Sequence, residues 1–126
     1  MQVKNGELKI YMDFLDDMVL KGKSSLGRTK LKGCFAEKLE EYGKDQVAII
    51  DEYDAWKDKK EGTYESTNKE LVEAMKVLAL DGVEVEFKSP FKKDLAEALE
   101  NYDEELSGAD AEIYANLYEN LTKENE

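Results

Sequence analysis

Histidine is absent from this 126-residue chain, and cysteine, proline and tryptophan each occur only once. Without histidine the chain lacks the most common general base and metal ligand, and no Ser-His or Cys-His nucleophilic pair can form. A zinc site would need the one thiol together with carboxylates, which is an unusual ligand set. The sequence also contains no glycine-rich phosphate loop and no calcium-binding loop. These absences predict a protein that is not an enzyme and that holds neither a metal ion nor a cofactor.

The single cysteine, Cys34, excludes an intrachain disulfide and favours a reducing compartment. No run approaches the roughly 20 apolar residues that a membrane-spanning helix needs. The N-terminal segment lacks the apolar stretch of a secretory signal. The sequence therefore predicts a cytoplasmic protein without a membrane partner.

Charged residues make up 38% of the chain and hydrophobic residues 41%. The hydrophobic residues recur at three- and four-residue steps, which is the spacing of amphipathic helices. A chain of this length can bury one core. We therefore predict a single, mainly α-helical domain over residues 1–126, arranged as a helical hairpin or bundle, with a C-terminal tail that frays from about residue 122.

The longest apolar stripe runs from Leu31 to Trp56 and predicts one long helix of about 30 residues, or ~45 Å. Ser24 or Ser25 is the predicted cap of this helix, and Asn5 is the predicted cap of the helix before it. The two helices should pack as an antiparallel hairpin closed by a short basic connection. Four residues should then lie in the core: Leu15, Leu31, Phe35 and Leu39.

A third helix is predicted from the capping box of Thr67 and Glu70, and Gly82 should end it in a left-handed conformation. The period then changes to two, because apolar and charged residues alternate over 83–87, and this pattern predicts a short strand. A partly buried strand needs a partner for its backbone. We expect it to pair with residues 2–4. Ser89-Pro90 and Ser107-Gly108 should precede two further helices.

The sharpest local feature is a basic window between Met18 and Ala36, which contains no carboxylate although the whole chain has a net charge of −12. Its basic residues are Lys21, Lys23, Arg28, Lys30 and Lys32. They could bind an acidic partner surface or phosphate groups. Alternatively, they could serve the joint between two helices: Lys21 and Lys23 would complement the C-terminal end of the first helix, and Arg28, Lys30 and Lys32 would pair with carboxylates elsewhere in the chain. The negative net charge argues against nucleic acid as the partner.

Two other sets of residues also have alternative interpretations. Carboxylates along the long helix could mimic DNA phosphates, but Lys38, Lys44 and Lys57 interrupt them, so an ordinary solvated helix surface is favoured. The tyrosines and Trp56 lie on predicted apolar stripes and are assigned to the core, with some left for an interface. Cys34 is interpreted as an inert packing residue.

The order of several motifs resembles a group of small, uncharacterised proteins of tailed phages and prophages of Gram-positive bacteria, encoded near tail and lysis genes. The motifs are Asn5-Gly6-Glu7-Leu8, the segment 25–31 leading to Lys38-Leu39-Glu40-Glu41, Val83-Glu84-Val85-Glu86, and Leu106-Ser107-Gly108-Ala109-Asp110-Ala111. The resemblance implies a phage origin and a structural or assembly role. It supplies no catalytic or ligand-binding residues.

The resulting expectation is a non-catalytic phage protein that contacts protein partners, including copies of itself, during virion assembly or in the tail. It would reside in the host cytoplasm or in the virion. The alternative expectation is an acidic, DNA-mimicking inhibitor of a host defence enzyme that binds nucleic acid.

Overall fold

The computed structural model describes residues 1–123. Most of this part of the chain is helical, and its strands form two small antiparallel sheets. This architecture confirms the predicted class, mainly α with one long helix and a minor two-stranded sheet. In chain order the elements are β1 (Gln2–Lys4), a 3-10 turn (Asn5–Glu7), α1 (Leu8–Asp17), α2 (Gly22–Glu52), β2 (Trp56–Asp58), β3 (Thr63–Tyr64), α3 (Lys69–Leu80), β4 (Gly82–Glu84), α4 (Lys92–Glu100) and α5 (Ala109–Thr122).

The helices α1 and α2 form the predicted antiparallel hairpin. The guanidinium of Arg28, early in α2, donates to the carbonyl oxygen of Met18, just after α1. Further from the connection, the ring of Tyr11 stacks on that of Phe35 with the ring centroids 5.5 Å apart. Three of the four predicted core residues are fully buried, whereas Leu39 is half-buried at the edge of the core.

The predicted caps of α1 and α2 are wrong because each side chain bonds elsewhere. Asn5 is buried, and its Nδ2 donates to the carbonyl oxygen of Leu78 at 3.0 Å, so it joins the chain start to α3. Ser24 lies inside α2, and its Oγ donates to the carbonyl oxygen of Lys21 at 2.7 Å. Neither side chain accepts a bond from the first amides of a helix.

The α3 helix is capped one residue later than predicted. The side-chain oxygen of Asn68, not of Thr67, accepts the amides of Glu70 and Leu71 at 2.9 and 3.3 Å. The predicted left-handed Gly82 is also wrong, because this residue enters β4 and pairs with Lys4. The chain therefore passes from α3 into the sheet within two residues.

The sheet of β1 and β4 ties the chain start to the middle of the chain, as predicted. Val3 lies opposite Val83 in an antiparallel register. The pairing extends as far as Val85, whose amide donates to the carbonyl oxygen of Met1 at 2.8 Å. The strand is shorter than the predicted 83–87, because Glu86 and Phe87 lie beyond this last bond.

A second sheet, β2 with β3, was not predicted. The α2 helix ends at Glu52, so Trp56 begins a strand and does not continue the helical stripe. Its ring meets that of Tyr64 on β3 edge-on, with the centroids 6.4 Å apart. Gly62 lies in the turn between the two strands, with φ at +75°, a conformation that favours glycine. Strands of three and two residues are too short to show a period of two in the sequence.

The buried residues form two clusters. The larger lies between β1, α1, the first half of α2, α4 and α5. The smaller contains Ile50, Ala55 and Leu71 and joins the end of α2 to α3 and the β2–β3 sheet. The tail was predicted to fray from about residue 122, whereas α5 continues through Thr122; the rest of that tail, residues 124–126, lies outside the described residues.

Candidate interaction site

The basic window divides into residues that hold the α1–α2 hairpin and residues that face solvent. Arg28 donates to the carbonyl oxygen of Leu15, at 3.3 Å, which also accepts the amide of Met18, and to the carbonyl oxygen of Met18 itself, just after α1. Lys32 forms an ion pair with Asp16 on α1. The joint interpretation therefore accounts for these two cations, which stabilise the turn between the helices.

The outward-facing residues form what we call the basic surface: Val19, Lys21, Lys23, Leu26 and Lys30. Lys23, Leu26 and Lys30 are spaced along α2 so that they share one helix face. The side chains of the three lysines are exposed and pair with no other group among residues 1–123. Val19 is 93% exposed and Leu26 49% exposed, so apolar groups stand among the charges.

The carboxylates of α2 do not form a continuous acidic face. Lys44 lies 3.7 Å from Glu40, and Lys38 lies at the same distance from Glu41. Near the end of the helix, Asp51 accepts bonds from the Trp56 indole at 2.6 Å and from Lys59 at 3.2 Å. These two donors lower the pKa of the Asp51 carboxyl group. Cations therefore interrupt the acidic groups, as an ordinary solvated helix surface requires.

Most of the aromatic residues belong to the two clusters, as predicted. Tyr102, Tyr114 and Tyr118 stack in series across α4 and α5, with successive centroids 5.9 and 6.0 Å apart. Burial raises the pKa of the Tyr102 and Tyr114 hydroxyl groups. Cys34 is half-buried, and burial raises the pKa of its thiol, which disfavours the reactive thiolate.

The largest apolar opening that we find is a groove between the end of α2 and α3, called here the α2–α3 groove. It is open to solvent and has a volume of ≈ 910 Å³. Val77 is 61% exposed and Leu80 is 64% exposed. The lining residues are Ile49, Tyr53, Glu70, Glu73, Ala74, Val77, Leu78, Leu80 and Asp81.

The charges of the α2–α3 groove are of one sign. Its acidic lining residues are Glu70, Glu73 and Asp81, all of which are exposed, and no lysine or arginine is among the lining residues. The two lysines of α3, Lys69 and Lys76, are not among the residues that line the groove. The groove therefore combines an apolar floor with an acidic rim.

The sequence of α3 contains apolar residues outside its main apolar stripe, and these residues indicate the groove. One apolar stripe at helical spacing runs along α3 and comprises Leu71, Val72, Met75, Leu78 and Ala79. Ala74, Val77 and Leu80 lie off that stripe, so α3 is apolar around most of its circumference. A helix with apolar residues on most sides needs more than one covering surface. Here α2 and the chain start cover one side, and the other remains open.

Residues 1–123 contain neither a membrane-spanning helix nor a cluster of metal ligands. No helix in this region is both long enough and apolar enough to cross a membrane. The same residues contain no group of three or more histidine, cysteine or acidic side chains arranged to hold a metal ion.

Comparison with known proteins places the chain in one family. A family model described as "Protein of unknown function (DUF1617)" matches residues 1–124. No curated protein and no solved structure matches the chain.

Proposed function

We propose, from the premise that the chain belongs to the DUF1617 family of proteins of unknown function, that it is a non-catalytic phage or prophage protein. It acts through protein–protein contacts, in virion assembly or as a component associated with the tail. Its place is the host cytoplasm or the virion. The resemblance of its motifs to small phage proteins supports the phage origin, and the absence of histidine supports a role without catalysis.

The α2–α3 groove carries the proposal of a protein partner. Val77 and Leu80 lie one helical turn apart and expose most of their side chains. Covering them would stabilise a complex by about 25 cal/mol for each Å² of apolar surface removed from water. Contiguous exposed apolar residues with a polar rim are typical of interaction sites. The acidic rim would select a partner that offers cations around an apolar group.

The alternative, a DNA-mimicking inhibitor, has weaker support. A mimic needs its carboxylates to follow one another without cations, whereas Glu40 and Glu41 each pair with a lysine. A mimic would also bind its basic target through charge, so its affinity would fall steeply as salt concentration rises. A contact made mainly by apolar residues in the groove would keep most of its affinity as salt concentration rises.

The test compares the wild type with a groove variant, Val77→Asp with Leu80→Asp. A matched control, Ile10→Asp with Val47→Asp, changes two other exposed apolar residues on helices outside the groove. Circular dichroism and thermal unfolding should first show that both variants keep the fold, because all four positions are exposed. Each tagged chain is then produced during phage growth and fractionated on a density gradient.

We expect the wild type and the control to sediment with virions or their precursors, and the groove variant to remain in the soluble fractions. Sedimentation of the folded groove variant with the wild type would contradict a role for the groove. Absence of the wild type from every virion-related fraction would contradict a role in assembly.

A further inference from the structure

We infer that the α2–α3 groove of one copy receives the basic surface of a second copy, so that molecules associate head to tail. The inference rests on the proposed function, since it names the partner that the groove contacts. It takes a second copy of this chain as the occupant because the two surfaces are complementary in charge and in apolar content.

The two surfaces carry opposite charges around their apolar residues. The groove presents Glu70, Glu73 and Asp81 around its apolar lining. The basic surface presents Lys23 and Lys30 on either side of Leu26, on one face of α2. Leu26 would enter the groove beside Val77 and Leu80, and the lysines would meet the acidic rim. In a chain with 30 acidic and 18 basic residues, a basic window without any carboxylate stands out as a partner for that rim.

A symmetric contact of groove with groove is disfavoured by the same charges. It would bring the rim of one copy, including Glu70 and Glu73, against the identical rim of the other. Like charges facing each other across an interface oppose association and select against that pairing. The contact must therefore join two different surfaces.

The position of the two surfaces on α2 determines the form of the assembly. Leu26 lies near the start of this helix and Ile49 near its end, a separation of about 35 Å at 1.5 Å per residue. One molecule therefore cannot fill its own groove with its own basic surface. A contact between different surfaces of identical copies produces either a ring or an open chain. Each molecule uses both ends of α2.

The experiment uses the purified full-length protein in sedimentation velocity, from about 1 µM to about 300 µM, which brackets weak interfaces. The basic-surface variant is Lys23→Glu with Lys30→Glu, since Arg28 and Lys32 hold the hairpin and are left unchanged. The groove variant is Val77→Asp with Leu80→Asp. The charge control is Lys9→Glu with Lys60→Glu. It changes the net charge by the same amount as the basic-surface variant, at exposed positions outside both surfaces.

We expect the wild type and the charge control to associate as concentration rises, and each surface variant to weaken association at least tenfold. An equimolar mixture of the two surface variants should form a 1:1 complex that grows no further. In it, the intact basic surface of one variant occupies the intact groove of the other.

Three results would overturn the inference: a wild type that stays monomeric throughout, surface variants that associate like the wild type, or a mixture that forms no complex. The gradient experiment under "Proposed function" is independent of these results. If the wild type is monomeric but only the groove variant is lost from virion fractions, the groove serves another partner and the proposed function stands.

Discussion

Replacing Gly27 by alanine should destabilise the protein, although glycine is a poor helix former. Within a helix, glycine costs about 1 kcal/mol relative to alanine. At Gly27, however, α4 crosses so closely that an added Cβ would lie 2.7 Å from the backbone oxygen of Phe91 and 3.1 Å from the Cβ of Leu95. Ordinary contacts between carbon and oxygen begin at about 3.3 Å. The α2 and α4 helices would have to separate by roughly half an ångström.

The change in the free energy of unfolding caused by Gly27→Ala is the sum of two opposing contributions. Overpacking of this kind costs about 1–3 kcal/mol, and the obstacle here includes backbone, which cannot rotate away as a side chain can. The improved helix propensity returns about 1 kcal/mol. The difference is about 0–2 kcal/mol, and because Leu95 is fully buried and would also be displaced, we expect Gly27→Ala to lower the free energy of unfolding by an amount in the upper half of that range, about 1–2 kcal/mol.

Gly33 is the matched control, since it lies in the same helix and an added Cβ would meet nothing within 4 Å. Gly33→Ala should raise the free energy of unfolding by about 0.5–1 kcal/mol. Urea unfolding followed by far-ultraviolet circular dichroism measures both changes. If Gly27→Ala proved as stable as Gly33→Ala, α4 could not cross α2 at Gly27, and the packing described above would be wrong.

Two further predictions concern the core and the chain start. Leu31→Ala should cost about 2–5 kcal/mol, because Leu31 is fully buried, whereas Leu39→Ala should cost roughly half as much, because Leu39 is half-buried. Equal losses in urea unfolding would show that the edge of the core is misplaced. Glu84 accepts a bond from the Met1 amino group at 2.5 Å, and this bond holds the pKa of its carboxyl below the ordinary range. A depressed carboxyl pKa stabilises the fold above the unfolded-state pKa of about 4.3, and this stabilisation is lost as pH falls through the folded-state pKa. Glu84→Gln should therefore have a lower melting temperature than the wild type at about pH 7, and the difference should shrink as the pH falls below about 4.3; a difference that does not depend on pH would exclude this ion pair as the cause.

The long helix and the existence of the β1–β4 sheet could be predicted from the sequence because both depend on periodicity. The stripe that begins at Leu31 predicted about 30 residues, and α2 has 31. The alternation that begins at Val83 predicted a strand, and Val3 was its available partner. Such patterns record which face of each element is buried, and neighbouring residues are sufficient to show them.

The exact caps depended on more distant contacts. Asn5 is a residue type that often caps helices, but its side-chain amide instead donates a hydrogen bond to the carbonyl oxygen of Leu78, 73 residues later in the chain. A capping preference reports only what a side chain can bond nearby. It does not show which distant group will form a hydrogen bond with that side chain in the folded protein.

The sequence by itself determined that basic residues would gather between Met18 and Ala36, and that α3 would carry more apolar residues than one face can hold. Only the tertiary structure decided how these features are used. Arg28 faces the end of α1 while Lys23 and Lys30 face solvent, since the angle of the hairpin sets which side of α2 is covered. Val77 remains exposed because α2 packs on a neighbouring face of α3, where Leu71 and Ile50 lie in one buried cluster, and only the residues at the end of α2 border the groove. Whether a surface stays exposed depends on which other elements pack against it, and those contacts join residues far apart in the chain.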